Sequence, residues 1–161
     1  MRIAPRNDQD WDFNKYFEYL ETVKHLMSAK AYEFASNYEH YNLTSHNSLH
    51  DAWLEYLSVR EPSKGGRKQT RTIDIETCYL GPFHDCRIYI NYINVQSYQL
   101  QSTQEPLNLP NIDIGHGDLL THKMKFLEND ISEHELTFSR GSIFRIQFKD
   151  FEYKIEAYSH E

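Results

Sequence analysis

The chain has 161 residues with a formal net charge of −7; 39% of them are hydrophobic and 25% charged. That length and apolar content suit one folded domain over 1–161 and exclude wholesale disorder. The acidic balance opposes a phosphate backbone, so nucleic acid is an unsuitable partner.

The front, 10–37, reads as helical. Asp10 or Asp12 is placed to cap a helix in which Phe13, Tyr16, Phe17, Leu20, Val23 and Met27 recur at three- and four-residue spacing. A second helix starts at Ser28, runs through Ala29, Ala31, Tyr32, Phe34 and Ala35, and stops near Asn37, a residue that tolerates left-handed backbone.

From 50 to 160 the period is two. Trp53 to Val59 reads as a strand, and so does Arg71 to Tyr79, with Ile73, Ile75 and Tyr79 on one face. Between them, Pro62 to Gln69 is loop chemistry that concentrates basic charge, with Arg67 and Lys68 at a tip able to dock an acidic partner or a phosphate. A long strand follows Gly81-Pro82, alternating through Cys86, Ile88, Ile90 and Tyr92 before the pattern slips, which a bulge near Tyr92 explains. Residues 101–117 read as a crossover, and Leu119–Leu127, Glu133–Ser139, Ser142–Phe148 and Phe151–Tyr158 as four more strands. A loop of Arg140, Gly141 and Ser142 sets Phe138 opposite Phe144 and Leu136 opposite Ile146. The expected class is α+β: two N-terminal helices packed on a mainly antiparallel sheet or sandwich of about seven strands.

No apolar run approaches the ~20 residues of a membrane helix, and the first residues carry no signal-peptide pattern, so the expected location is cytoplasmic. Cys78 and Cys86 flank a hairpin turn, where a cross-strand bridge is conceivable but disfavoured in a reducing compartment. Nucleophile-elbow, P-loop and dinucleotide fingerprints are missing; neither a catalytic residue nor a cofactor is expected.

Two His-Asp doublets stand out: His50-Asp51 and His84-Asp85 each follow an apolar residue and open a strand. One reading makes them metal ligands of a hydrolase, with imidazole and carboxylate arriving from adjacent strand ends. The other makes them strand hinges, each Asp closing an Asx-type turn. Gly115-His116-Gly117 with His122 offers a flexible ligand pair, whereas His134 alternates with Leu136 and Phe138 as a core residue. Tyr89, Tyr92 and Tyr98, set among Asn and Gln, form an interface-like composition.

Ser48-Leu49-His50-Asp51-Ala52-Trp53-Leu54-Glu55, within Phe34–Glu61, and the segment His134–Phe148 resemble small bacterial proteins that open a β region with Leu-His-Asp and close with a similar hairpin. Some proteins of that kind are associated with toxin–immunity loci. The resemblance implies a protein partner and transfers no catalytic residue. The leading expectation is therefore a cytoplasmic binding protein, an immunity-type inhibitor of a protein toxin. The alternatives are a metal-dependent hydrolase and a homo-oligomeric structural subunit, a homodimer through its sheet.

Overall fold

The computed structural model describes residues 5–6, 10–11, 13–62, 71–104, 106 and 113–159. A two-residue ribbon, β1 (Pro5–Arg6) with β2 (Asp10–Trp11), precedes α1 (Asn14–Val23) and α2 (Ala29–Ser36). A short 3-10 turn (Tyr38–His40) leads on to β3 (Trp53–Arg60), β4 (Asp74–Leu80), β5 (Cys86–Gln104), β6 (Leu119–Glu128), β7 (Ile131–Phe138) and β8 (Gly141–Ala157). The last six strands form one antiparallel sheet in the order β3-β4-β5-β8-β7-β6. The class is α+β, with six strands in the main sheet rather than about seven. Among the described residues no helix is long and apolar enough to cross a membrane.

Both helices use the apolar stripes read from sequence. Tyr16, Leu20 and Met27 are buried, and Phe13, Phe17 and Val23 pack half-buried against the same core. Their ends differ from expectation. Asp10 lies in β2, so α1 starts at Asn14 behind Phe13, with no side-chain cap. At α2 the Ser28 hydroxyl accepts from the Ala31 N–H at 3.4 Å, a standard cap. Asn37 is extended (φ −85°, ψ 112°), not left-handed, because its side chain accepts from the Glu39 N–H and opens the next turn instead.

The sheet bends where β5 and β8 change phase together. Tyr92 faces the core opposite Phe151, and the next inward pair is Val95 opposite Phe148. Asn94, between them, adopts φ 55°, and the ladder is irregular between Val95 and Ser97. Since both partners shift at one place the ladder survives, and the two last strands expected from sequence are one. On β7 and β8, Leu136 pairs with Phe144 and His134 with Ile146. The expected register is thus displaced by two residues. The inward faces are as expected, because a two-residue shift preserves parity; Gly141, at φ 94°, lets the chain turn earlier.

Cys78 pairs with Tyr89 on the face away from the helices, whereas Cys86 belongs to the buried series with Ile88 and Ile90. The two thiols lie on opposite faces and are free. The outer face is tied by cross-strand charges: Lys123 and Arg145 flank Glu135, Arg87 meets Glu55, and Arg60 and the Tyr56 hydroxyl both reach Glu76.

Two contacts close the structure around the helices. The Asp51 N–H donates to Leu119 O at 2.8 Å and the Leu119 N–H to Ala52 O at 3.0 Å, joining the residues before β3 to the start of β6. Along β6, the Met124 N–H donates to the Tyr16 hydroxyl at 2.7 Å and the Phe126 N–H to the Tyr19 hydroxyl at 2.9 Å. The edge strand is thereby sealed by α1. Tyr16→Phe keeps the ring but strands a buried N–H, so urea unfolding should register a loss of about 1–3 kcal/mol. Wild-type stability in that variant would show that the hydroxyl does not hold the edge.

Candidate functional site

The two His-Asp doublets reach the same end of the sheet because Trp53 pairs with Leu80, and Leu80 with Arg87. Each doublet contains one residue in left-handed backbone, Asp51 at φ 65° and His84 at φ 60°. Such conformations in non-glycine residues need support from their surroundings. Here Leu49 and Ala52 are wholly buried on either side of the first, and the His84 N–H donates to Gly81 O at 2.9 Å at the second. Among the described residues the expected Asx turns are not seen: neither Asp51 nor Asp85 bonds backbone through its side chain. Both turn to imidazoles instead.

His46, Phe83, His84, Asp85, Trp53 and Asp118 form an exposed corner, beside which His50 is half-buried. His46 Nδ1 meets Asp85 Oδ2 at 2.5 Å, and the His46 ring stacks on Phe83 with centroids 4.1 Å apart. His84 packs against Trp53 at 4.4 Å, and the indole N–H of Trp53 donates to Asp118 Oδ1 at 2.7 Å. His50 Nδ1 lies 3.1 Å from Asp51 Oδ1. Trp53 and Phe83 nevertheless remain 48% and 50% exposed. Two large aromatic faces are thus held by these contacts and presented to solvent, with Asp118 bonded to Trp53 and Asp85 bonded to the imidazole stacked on Phe83.

As a metal centre the same residues do not assemble. Among the described residues no three His, Cys, Asp or Glu side chains converge as ligands. His50 Nδ1 lies near Asp51 without a hydrogen bond, Asp85 engages His46, and His84 lies against an indole. His50, Asp51, His84 and Asp85, expected as metal ligands in the hydrolase reading, are thus not brought together as a three-ligand group among the described residues.

The tyrosine series divides among three environments. Tyr89 is on the outer face beneath the Lys154 ammonium, 4.7 Å from its ring centroid. Tyr92 is completely buried, and Tyr98 is 44% exposed beyond the bend. One continuous tyrosine face does not exist, since residues 89 and 92 have opposite parity on a strand. Arg67 and Lys68 lie outside the described residues.

Beneath the corner runs a buried relay that local spacing could not announce. Tyr92 Oη and His134 Nδ1 are 2.7 Å apart, His134 Nε2 and His122 Nδ1 3.1 Å, and His122 Nε2 and His40 O 3.0 Å. A carbonyl only accepts, so His122 carries its proton on Nε2. Its Nδ1 must then accept from His134 Nε2–H, and His134 Nδ1 from the Tyr92 hydroxyl. His122 is consequently buried on β6 and is no partner for His116, whose Nδ1 meets Ser142 Oγ at 2.8 Å between Phe138 and Phe144.

The His40 backbone carbonyl also accepts from the Leu49 N–H at 3.0 Å and the Ser48 hydroxyl at 3.3 Å, and its ring Nδ1 meets Asn47 O at 3.1 Å. It is the hub that folds 41–52 back on itself and sets the approach to Trp53. Ring stacking seals it: Phe34 lies on His40 at 4.1 Å and Tyr41 on His122 at 4.3 Å.

No family model, no curated protein and no solved structure matches the chain.

Burial holds His40 and His134 below the ordinary imidazole range, and pushes His122 down to about 3 against the opposing His40 carbonyl. With folded values depressed, the unfolded chain binds more protons below about pH 6.5, so stability is complete above that pH and falls as the pH drops. Each histidine contributes about 1.4 kcal/mol per pH unit once its unfolded form is charged. Glu76 and Glu135, held below the ordinary value of 4.5, act only at lower pH. Urea unfolding at about pH 7.5, 6 and 5 should show this decline, flattened in His122→Gln. A free energy constant across that range would contradict neutral burial.

Proposed function

We propose that this chain is a non-catalytic protein-binding module of the immunity type, docking its Trp53–Phe83 corner against a basic protein surface. The observation that carries the reading is the pair of exposed aromatic faces held beside the Asp118 and Asp85 carboxylates. Interface energy concentrates in a few aromatic anchors, and anchors fixed before binding lose little side-chain entropy on docking. Asp51, Asp85 and Asp118 suit lysine or arginine on the partner, and the −7 net charge would steer such a partner in. The resemblance of the Leu-His-Asp segment to proteins of toxin–immunity loci agrees with this class of partner.

In a pull-down from the native host, the wild-type chain should retain a basic protein that Trp53→Ala and Phe83→Ala each bind roughly 30-fold more weakly, with melting temperatures near wild type. Retention of the same partner at undiminished affinity by the double variant would overturn the corner as the docking site. Capture of no protein partner would overturn the binding role itself.

A further inference from the structure

His40 is 2% exposed, its ring stacked on Phe34 and edge-on to Tyr153, with centroids 4.1 Å and 5.7 Å away. Its Nδ1 meets the Asn47 carbonyl, which only accepts, so the ring proton sits on that nitrogen. Nε2 is then a bare lone pair, buried and without a partner among the described residues. The other two buried rings have no such free position. A proton on His122 Nδ1 would confront the His134 Nε2–H, and one on His134 Nδ1 would displace the Tyr92 hydroxyl. Of the three, His40 alone takes up a proton without breaking a bond already made.

That proton cannot stay inside. It would turn a ring packed against Phe34 into a buried cation whose new N–H points at no acceptor. Among the described residues, the groups that face His40 are Glu33 on α2, Glu39 beside it in the 3-10 turn and His122 on β6; on β8, Tyr153 gives its hydroxyl to Glu33. The two carboxylates are exposed and favour the charge, but burial outweighs them. A charged His40 is therefore relieved by leaving, and its backbone carbonyl leaves with it. That carbonyl accepts from His122, Leu49 and Ser48. The segment 41–52 is also held by Asp51 and Ala52 on Leu119 and by Cys86 Sγ near His46 O. No rung of the six-stranded sheet runs through 41–52, so this segment can open at less cost than the sheet.

We propose that His40 is an acid-operated latch: proton uptake by its ring unfastens 41–52 from β6, and the Trp53–Phe83 corner loses its geometry and its hold on a partner. Regulation of docking rests on the binding role proposed above; the latch itself does not. The closed segment keeps His40 neutral, so opening takes up a proton and is favoured as the pH falls below about 6.5. Each imidazole hydrated by opening raises the opening constant about tenfold per pH unit. His40 supplies one such factor, and His122, uncovered when Tyr41 leaves its ring, supplies a second.

Amide hydrogen exchange of the full chain between about pH 7.5 and about pH 5, corrected for intrinsic rates, tests the latch. The Leu49 and Asp51 amides should open more readily than those of Ile90 and Ile146 in the sheet. Below about pH 6 their opening constants should rise about 100-fold per pH unit. In His40→Gln, which keeps the backbone carbonyl and an amide donor for Asn47 O, that rise should shrink to about tenfold. Opening of Leu49 and Asp51 only together with the sheet at every pH would overturn the latch, and so would an undiminished slope in His40→Gln. Because the slopes are read on the free chain, failure of the docking role and failure of the latch are separate results.

Discussion

Among the described residues three imidazoles, His40, His122 and His134, lie in the interior, and burial denies each of them a charge. A neutral imidazole has one donor and one acceptor, so every ring nitrogen must meet a group of the right kind or lose hydration without return. The relay from Tyr92 through His134 and His122 to the His40 carbonyl meets that demand in one direction of proton donation. It crosses from β5 through β7 and β6 to the turn after α2, and so ties the helical front to the sheet by oriented bonds as well as by apolar contact. Among the described residues, His40 Nε2 is the one ring nitrogen of these three histidines without a hydrogen-bond partner.

The exposed corner depends on this interior. His40 gathers Leu49, Ser48 and Asn47, which fixes the path of the chain to Asp51 and Trp53. Asp51 and Ala52 then bond Leu119, so the residues entering β3 cannot move without moving the start of β6. On the other side, Cys86 Sγ lies 3.2 Å from His46 O, holding the segment that carries His46 against the turn that carries Phe83. Rigid aromatic presentation at the surface is thus a consequence of satisfied polar groups underneath.

Face assignment was legible in the sequence wherever alternation was unbroken, as in Ile75 with Tyr79 and Cys86 through Tyr92. Register was not. Two pairings of β7 with β8 bury the same residues and differ by two positions, and turn backbone at Gly141 decides between them. The phase change at Phe148–Phe151 looked like a strand break because its compensation sits on another strand, at Tyr92–Val95. The His-Asp doublets could be seen to open strands, but their arrival at one end of the sheet required the pairing of β3, β4 and β5. The relay was invisible for a similar reason: His122 is 82 residues from His40, and Tyr92 is 42 from His134. Only the alternation around His134 marked one member as a core residue.

The most direct measurement is the nitrogen-15 NMR spectrum of the histidine side chains across pH. His122 and His134 should remain neutral to about pH 5, both with the proton on Nε2, and His40 should carry its proton on Nδ1. Titration of His122 or His134 near the ordinary value of about 6.5, or an Nδ1–H tautomer in either ring, would contradict the neutral, directional relay.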